Sequence, residues 1–208
     1  NSQIMGIKRY TANADTTITN AYKANLQTRG TGSNMGLADS LEVFHIYGQE
    51  SSSSAENSRV LIDFPVATTI TTDRSAGTIP ASGSVSWFLR VHNVVHAGTL
   101  PKNYNMTISA ISRSWDEGTG MDMEGYTDSG SCNWTAAASS SGGVTAWTAA
   151  GGDYHASTTG STAYFDNGTE DIEIDISHLV EEWIKGLSGG AKGDIYGVGI
   201  KMENESAL

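Results

Sequence analysis

The sequence predicts an all-β protein, with a single β-sandwich domain built from many short strands and long polar loops. Hydrophobic residues make up only 38% of the chain, whereas Gly, Ser and Thr are abundant, and this profile is typical of short strands joined by turns. Apolar and polar residues alternate in several stretches, which is the period of a half-buried strand. The 208 residues suit one domain with a sizeable core, and no internal repeat or sharp compositional boundary divides them.

Alternation predicts four strands in the first half of the chain. Their aligned residues are Leu41, Val43, His45 and Tyr47; Val60, Ile62 and Phe64; Val85, Trp87, Leu89 and Val91; and Met106, Ile108 and Ala110. In the second of these strands, Arg59, Leu61 and Asp63 are expected on the opposite face. Residues 15–41 are polar and predicted to form turns.

The second half begins with a stretch rich in Ala, Ser, Thr and Gly, residues 135–160, which we interpret as an irregular surface excursion. A strand at residues 171–176 then places Ile172, Ile174 and Ile176 inward. Ser177 is a candidate cap for one short helix at residues 177–185, and Gly186 is a candidate stop signal. The apolar face of this helix contains Leu179, Val180, Trp183 and Ile184, and the last strand aligns Tyr196, Val198, Ile200 and Met202.

Composition excludes some partners and favours others. A net charge of -11 argues against nucleic acid, because phosphate neutralisation needs a basic surface. No apolar run is long enough to cross a bilayer, and the first residues do not have the pattern of a signal peptide, so no membrane partner is expected. The single cysteine, Cys132, excludes an intrachain disulfide and is expected to be structural.

The most distinctive stretch is an acidic loop, residues 114–134, that is too glycine-rich for a helix and too polar for a buried strand. Loops of this length in compact domains are usually functional or disordered, and a tryptophan near each end argues against disorder. Its candidate metal ligands are Asp116, Glu117, Asp122, Glu124 and Asp128. Such oxygen ligands suit calcium, although their spacing is not that of an EF-hand. The alternative is a solvated acidic loop that only keeps the surface charged.

Five aromatic residues fall in or near the predicted loops: Trp115, Tyr126, Trp134, Trp147 and Tyr154. Exposed rings of this kind stack on sugars or form the anchors of protein interfaces. The alternative, which we favour over sugar stacking, is that these rings hold the long loops down, because aromatic side chains bury large areas.

Signals for catalysis are weak, and we expect no enzyme activity. The Gly-Leu-Ser-Gly-Gly stretch at residues 186–190 matches a nucleophile-elbow pattern, but it follows a helix instead of linking a strand to one. The five histidines show no metal-pair spacing, and nothing selects two carboxylates from so acidic a loop as a glycosidase pair.

Several short motifs, in order along the chain, resemble a known family. They are Ala-Asp-Thr-Thr-Ile at residues 14–18, Leu-Glu-Val at 41–43, Arg-Val-Leu-Ile-Asp-Phe at 59–64, Ser-Arg-Ser-Trp-Asp-Glu-Gly at 112–118, Ile-Asp-Ile-Ser-His-Leu-Val-Glu-Glu-Trp-Ile-Lys-Gly at 174–186 and Tyr-Gly-Val-Gly-Ile-Lys at 196–201. Together they resemble the DNRLRE-like group of modules, which are jelly-roll domains related to carbohydrate-binding modules. The resemblance implies a jelly-roll β-sandwich over nearly the whole chain.

The middle of the chain departs from that group. Trp115-Asp-Glu117 is separated from Asn133-Trp134 by the acidic residues, where surface modules have a short connection. This expanded form resembles structural proteins of tailed phage virions, particularly phages of marine bacteria.

The resemblance implies a virion structural protein located at the particle surface, such as a capsid decoration, head-fibre, neck or tail module. Its expected partners are copies of itself and other virion proteins, contacted through the long loops at about residues 114–160 and through sheet edges. Host surface glycan is a further candidate partner. The alternative function is a carbohydrate-binding or adhesin module of a surface or secreted protein. No cofactor other than calcium is expected.

Overall fold

The computed structural model describes residues 6–52, 54–95, 97–127, 131–140, 142–155, 160–187 and 194–206. It consists mostly of antiparallel β-strands with two short helices, which confirms the all-β class. The strands are β1 (Ala14–Thr19), β2 (Phe44–Tyr47), β3 (Ala55–Asp63), β4 (Phe88–Val91), β5 (Tyr104–Ala110), β6 (Ala136–Ser140), β7 (Gly143–Ala146), β8 (Ser161–Phe165), β9 (Ile172–Asp175) and β10 (Val198–Met202). The helices are α1 (Thr71–Ser75), which continues from a π-helical turn at Val66–Ile70, and α2 (Ser177–Leu187).

Six strands form the main sheet, in the order β1-β3-β10-β5-β8, with β2 also pairing with β3. The long strand β3 is central, because it pairs with β1 along one side and with β2 and β10 in succession along the other. Two smaller sheets, β4-β9 and β6-β7, lie outside this path. All of these pairings are antiparallel.

The main hydrophobic core joins one face of the six-stranded sheet to the β4-β9 pair and α2, in a sandwich-like arrangement. The apolar rows predicted for these elements meet here, which confirms their inward direction. The buried members from β3, β5 and β10 are Val60, Ile62, Ile108, Ala110, Val198 and Ile200. Those from β4, β9, α2 and the residue between β9 and α2 are Leu89, Ile172, Ile176, Leu179, Val180, Trp183 and Ile184. Helix α2 therefore packs its apolar side chains into the core of the sandwich.

A second hydrophobic core covers the opposite face of the same sheet. Leu61 and Ile18 are fully buried there against Ile111, Trp134 and Trp147. Leu61 lies on the face of β3 opposite Val60 and Ile62, as the alternation predicts, and this second face is buried as well. The stretch interpreted as an irregular excursion contains the β6-β7 hairpin, whose first strand contributes buried alanines.

Tyr196 does not align with the inward row of β10, because it packs against the second core instead of the first. The change of face occurs at Gly197, which has a φ of +79°. A Cβ added there would lie 1.9 Å from the carbonyl oxygen of Ile62, so only glycine fits between these strands.

The remaining differences concern polar segments and element ends. Strand β1 was not predicted, because its Ala-Asp-Thr-Thr-Ile-Thr sequence is polar, yet its threonines are buried. Helix α2 includes Gly186 and ends at Leu187. The hydroxyl of Ser177, the candidate cap, accepts a hydrogen bond from the backbone N–H of Trp87, at 2.8 Å. In the described part of the chain, no helix has the length and apolar character needed to cross a membrane.

Replacing Leu61 with Ala tests whether the sheet is buried on both faces. We expect the free energy of unfolding to fall by about 2–5 kcal/mol, because the change leaves a cavity in the second core. Urea denaturation is the measurement, and the exposed Leu37→Ala is the control, with an expected effect within about 0.5 kcal/mol. Equal effects of the two substitutions would contradict the second core.

Candidate functional site

The acidic loop lies against residues 20–38 instead of projecting from the sandwich. The backbone N–H of Asn34 donates to the carbonyl of Tyr126 at 3.0 Å, and that of Leu37 donates to the carbonyl of Gly120 at 2.8 Å. The Ser33 hydroxyl donates to the carbonyl of Met123 at 2.8 Å. These bonds run along the loop, so it forms a seam with the N-terminal segment.

Asn34 is the centre of this seam and is fully buried. Its Nδ2 donates to the carbonyls of Glu117 and Cys132, at 2.7 and 2.9 Å. Its Oδ1 accepts from the backbone N–H groups of Gly36 and Gly120, at 3.1 and 2.8 Å. One amide therefore satisfies four backbone groups on three pieces of chain, which is the full hydrogen-bonding capacity of the side chain.

Two glycines permit the close approach of the loop to residues 34–36. A Cβ on Gly120 would lie 2.1 Å from the Asn34 carbonyl oxygen, and one on Gly36 would lie 2.3 Å from the Glu117 carbonyl oxygen. Glycine is needed at both positions because it leaves room for a neighbouring backbone.

The loop carboxylates bind backbone groups at separate places. Glu117 Oε1 accepts from the Asp15 N–H at 2.8 Å, and Glu124 Oε1 accepts from the Ala24 N–H at 2.6 Å. Asp122 Oδ1 accepts from two N–H groups of its own turn, at 2.8 and 2.9 Å. Asp116 is exposed, and Asp128 lies outside the described residues. Among the residues that the structure describes, no group of three or more His, Cys, Asp or Glu side chains is arranged to hold a metal ion.

Four of the five candidate aromatic residues pack in or against the second core. Trp134 and Trp147 are buried, and the Trp147 Nε1 donates to the Asn133 carbonyl at 2.8 Å. Trp115 Nε1 donates to the Tyr196 carbonyl at 2.9 Å, and the Tyr154 hydroxyl donates to the Gly151 carbonyl at 2.8 Å. Tyr126 is 38% exposed. This arrangement favours the interpretation of these rings as loop anchors.

Arg59, predicted on the same face of its strand as Leu61, is a central part of this site. Its guanidinium carbon lies 5.0 Å from the ring centre of Trp134 and 5.8 Å from that of Tyr154. The guanidinium also makes two hydrogen bonds to the Glu205 carboxylate, at 3.0 and 2.5 Å, and one to the Gly151 carbonyl at 2.6 Å. The group thereby ties the last described residues to the second core. Burial raises the pKa of the Tyr154 hydroxyl to about 12, so that ring stays neutral beside the pair.

Sequence reasoning missed both Asn34 and Arg59. Asn34 lies within residues 15–41, which the sequence predicts to form turns, and no local pattern indicates that its partners lie more than 80 residues away. The only local signal in the sequence is that glycines stand close to Asn34.

Comparisons of the chain with family models, with curated proteins and with solved structures find no match.

Replacing Asn34 with Ala tests the seam. We expect a loss of about 3 kcal/mol of unfolding free energy, because several buried backbone groups lose their partners together. Asn25→Ala is the matched control, since Asn25 Oδ1 also accepts two backbone hydrogen bonds but in an exposed turn. Thermal and urea unfolding measure both variants, and an Asn34 variant no less stable than the Asn25 variant would contradict the role of burial.

The reactivity of the Cys132 thiol tests whether the loop covers the second core. Burial raises the pKa of its thiol to about 12, and the reactive form of a thiol is the thiolate. We expect no reaction of the native protein with Ellman's reagent, and one thiol per chain after unfolding in guanidinium. Complete reaction of the native protein within seconds would contradict this burial.

Calcium at the acidic loop stays a prediction of the sequence. A bound ion at about 100 times its dissociation constant adds about 2.7 kcal/mol to the free energy of unfolding, so calcium is expected to raise the melting temperature above that in EDTA. Asp122→Asn is expected to remove the difference, and the exposed Glu173→Gln on β9 is expected to keep it. Identical melting in calcium and in EDTA would contradict the prediction.

Proposed function

We propose that this chain is a non-enzymatic structural protein of a phage virion, a jelly-roll module that acts through protein–protein interfaces. The observation that carries the proposal is that its longest loop is fastened to the body of the domain. A surface that is ordered before binding loses little conformational entropy when it meets a partner. Such surfaces suit a building block present in many identical copies, for which symmetric association is the default.

Exposed apolar residues near an open sheet edge support this role. Phe88 lies on β4, whose pairing in the described part of the chain is with β9 alone. Phe88 and Val94 are exposed, and Val95 is 97% exposed. Open strand edges and adjacent apolar side chains are features that protein interfaces cover. We therefore assign this edge, with the seam, to contacts with other copies or with other virion proteins.

A carbohydrate-binding or adhesin module is the alternative, and the site geometry supports it less. Sugar stacking needs exposed ring faces, whereas the two tryptophans Trp134 and Trp147 are buried. Tyr126 is the candidate ring that remains exposed. A virion-surface module that also binds host glycan through Tyr126 is compatible with the proposal.

The test is cryo-imaging of the native assembly that contains the chain, with its neighbours resolved. We expect many ordered copies, with the β4 edge or the seam buried between subunits. A glycan array run with the isolated protein gives the opposing test, with Tyr126→Ala compared with Tyr164→Ala, a second exposed tyrosine on β8. Absence of the chain from ordered particles, together with glycan binding lost only in the Tyr126 variant, would overturn the proposal in favour of the alternative.

A further inference from the structure

A groove of about 260 Å³ lies between β1, residues 35–44 and the acidic loop. Its apolar lining comes from Met35, Met121, Met123 and Phe44. Methionine side chains are flexible and polarizable, so a surface of this kind adapts to an inserted apolar side chain. Met121 is more than half exposed, so part of this lining is open to a partner.

The same groove carries negative charge. Asp39, Glu42 and Asp122 line it and are exposed, and its lining contains no lysine or arginine. Asp122 uses Oδ1 for two backbone hydrogen bonds of its turn. A ligand that complements this surface carries an apolar side chain next to a cationic one.

The chain itself presents such a pair at residues 6–10. Lys8 Nζ lies 2.5 Å from Asp73 Oδ2, and the Tyr10 hydroxyl donates to the same oxygen at 2.6 Å. Because Lys8 and Tyr10 both bind Asp73, their neighbours Ile7 and Arg9 face outward. Ile7 is 88% exposed, and Arg9 is exposed beside it. Ile7 is therefore an apolar group that the described residues of the same copy leave exposed.

We propose that the groove binds Ile7 and Arg9 of a second copy of this chain, an inference that rests on the proposed function. Ile7 packs against the methionines, and the Arg9 guanidinium lies among the three carboxylates. Among the described residues, no hydrogen bond or ion pair joins residues 6–9 to the groove of the same copy. A reciprocal exchange of this contact between two copies gives a two-fold dimer, whereas a one-way contact gives rings or filaments.

Charge reversal on each side tests the pairing by sedimentation equilibrium over a range of protein concentrations. We expect the native chain to associate reversibly, and Arg9→Glu alone or Asp39→Lys with Glu42→Lys to raise the dissociation constant by about tenfold or more. An equimolar mixture of the two variants is expected to regain association, because the reversed segment then meets the reversed groove. Lys102→Glu, an exposed substitution with the same charge change as Arg9→Glu, is the control and is expected to leave association unchanged.

Two outcomes would overturn the inference. One is a native chain that stays monomeric at all concentrations, which would leave the groove to a cationic segment of a different protein. The other is association that the groove and Arg9 variants do not weaken, or that their mixture does not restore. Either result leaves the proposed virion role standing, because that role is tested by the presence of ordered copies in the native assembly.

Discussion

The seam between the acidic loop and the N-terminal segment depends on the four hydrogen bonds of Asn34. They join residues 34–36, the start of the acidic loop and the backbone at Cys132, three pieces of chain with no regular secondary structure of their own. Buried backbone groups need partners, and strands supply them only within a sheet. Where the chain leaves the sheet, one side-chain amide takes over that role. The neighbouring positions 36 and 120 are glycines because the backbones meet directly there and leave no room for a side chain.

This seam explains why the main sheet can be buried on both faces. One face is covered by α2 and the β4-β9 pair, and the other by Ile111, Cys132, Trp134, Ala137 and Trp147. The acidic loop leads into that second cover, so fixing the loop also positions Trp134 over Arg59. The ion pair between Arg59 and Glu205 then holds the end of the described chain against the same core. Loop, second core and C-terminal residues thus form one packed unit.

The sequence was informative where a single periodicity decides the structure. The isoleucines of β9, the apolar face of α2 and the rows of β4 and β5 were predicted because one face is apolar and the other polar. The prediction failed for β1, where a run of buried threonines removes the alternation. For Leu61 the alternation indicated the correct face of β3, but it did not indicate that this face is also buried. Tyr196 changed faces because Gly197 interrupts the strand period. For the loop, the sequence located the residues but not their partners, because the bonds of Asn34 join positions that no local pattern relates.

The acidic residues of the loop accordingly have two different roles. Glu117 and Glu124 bind backbone N–H groups of the N-terminal segment and help to hold the seam, whereas Asp122 contributes charge to the groove. A fixed loop is what the proposed interface role requires.

Amide hydrogen exchange tests most directly whether the loop is fixed, because protection reports how often a segment opens. We predict that the Gly120 amide, bonded to Asn34, exchanges as slowly as amides of β3, while the Gly125 amide in the exposed turn exchanges fast. Equally fast exchange of Gly120 and Gly125 would contradict a loop that is fastened to the domain.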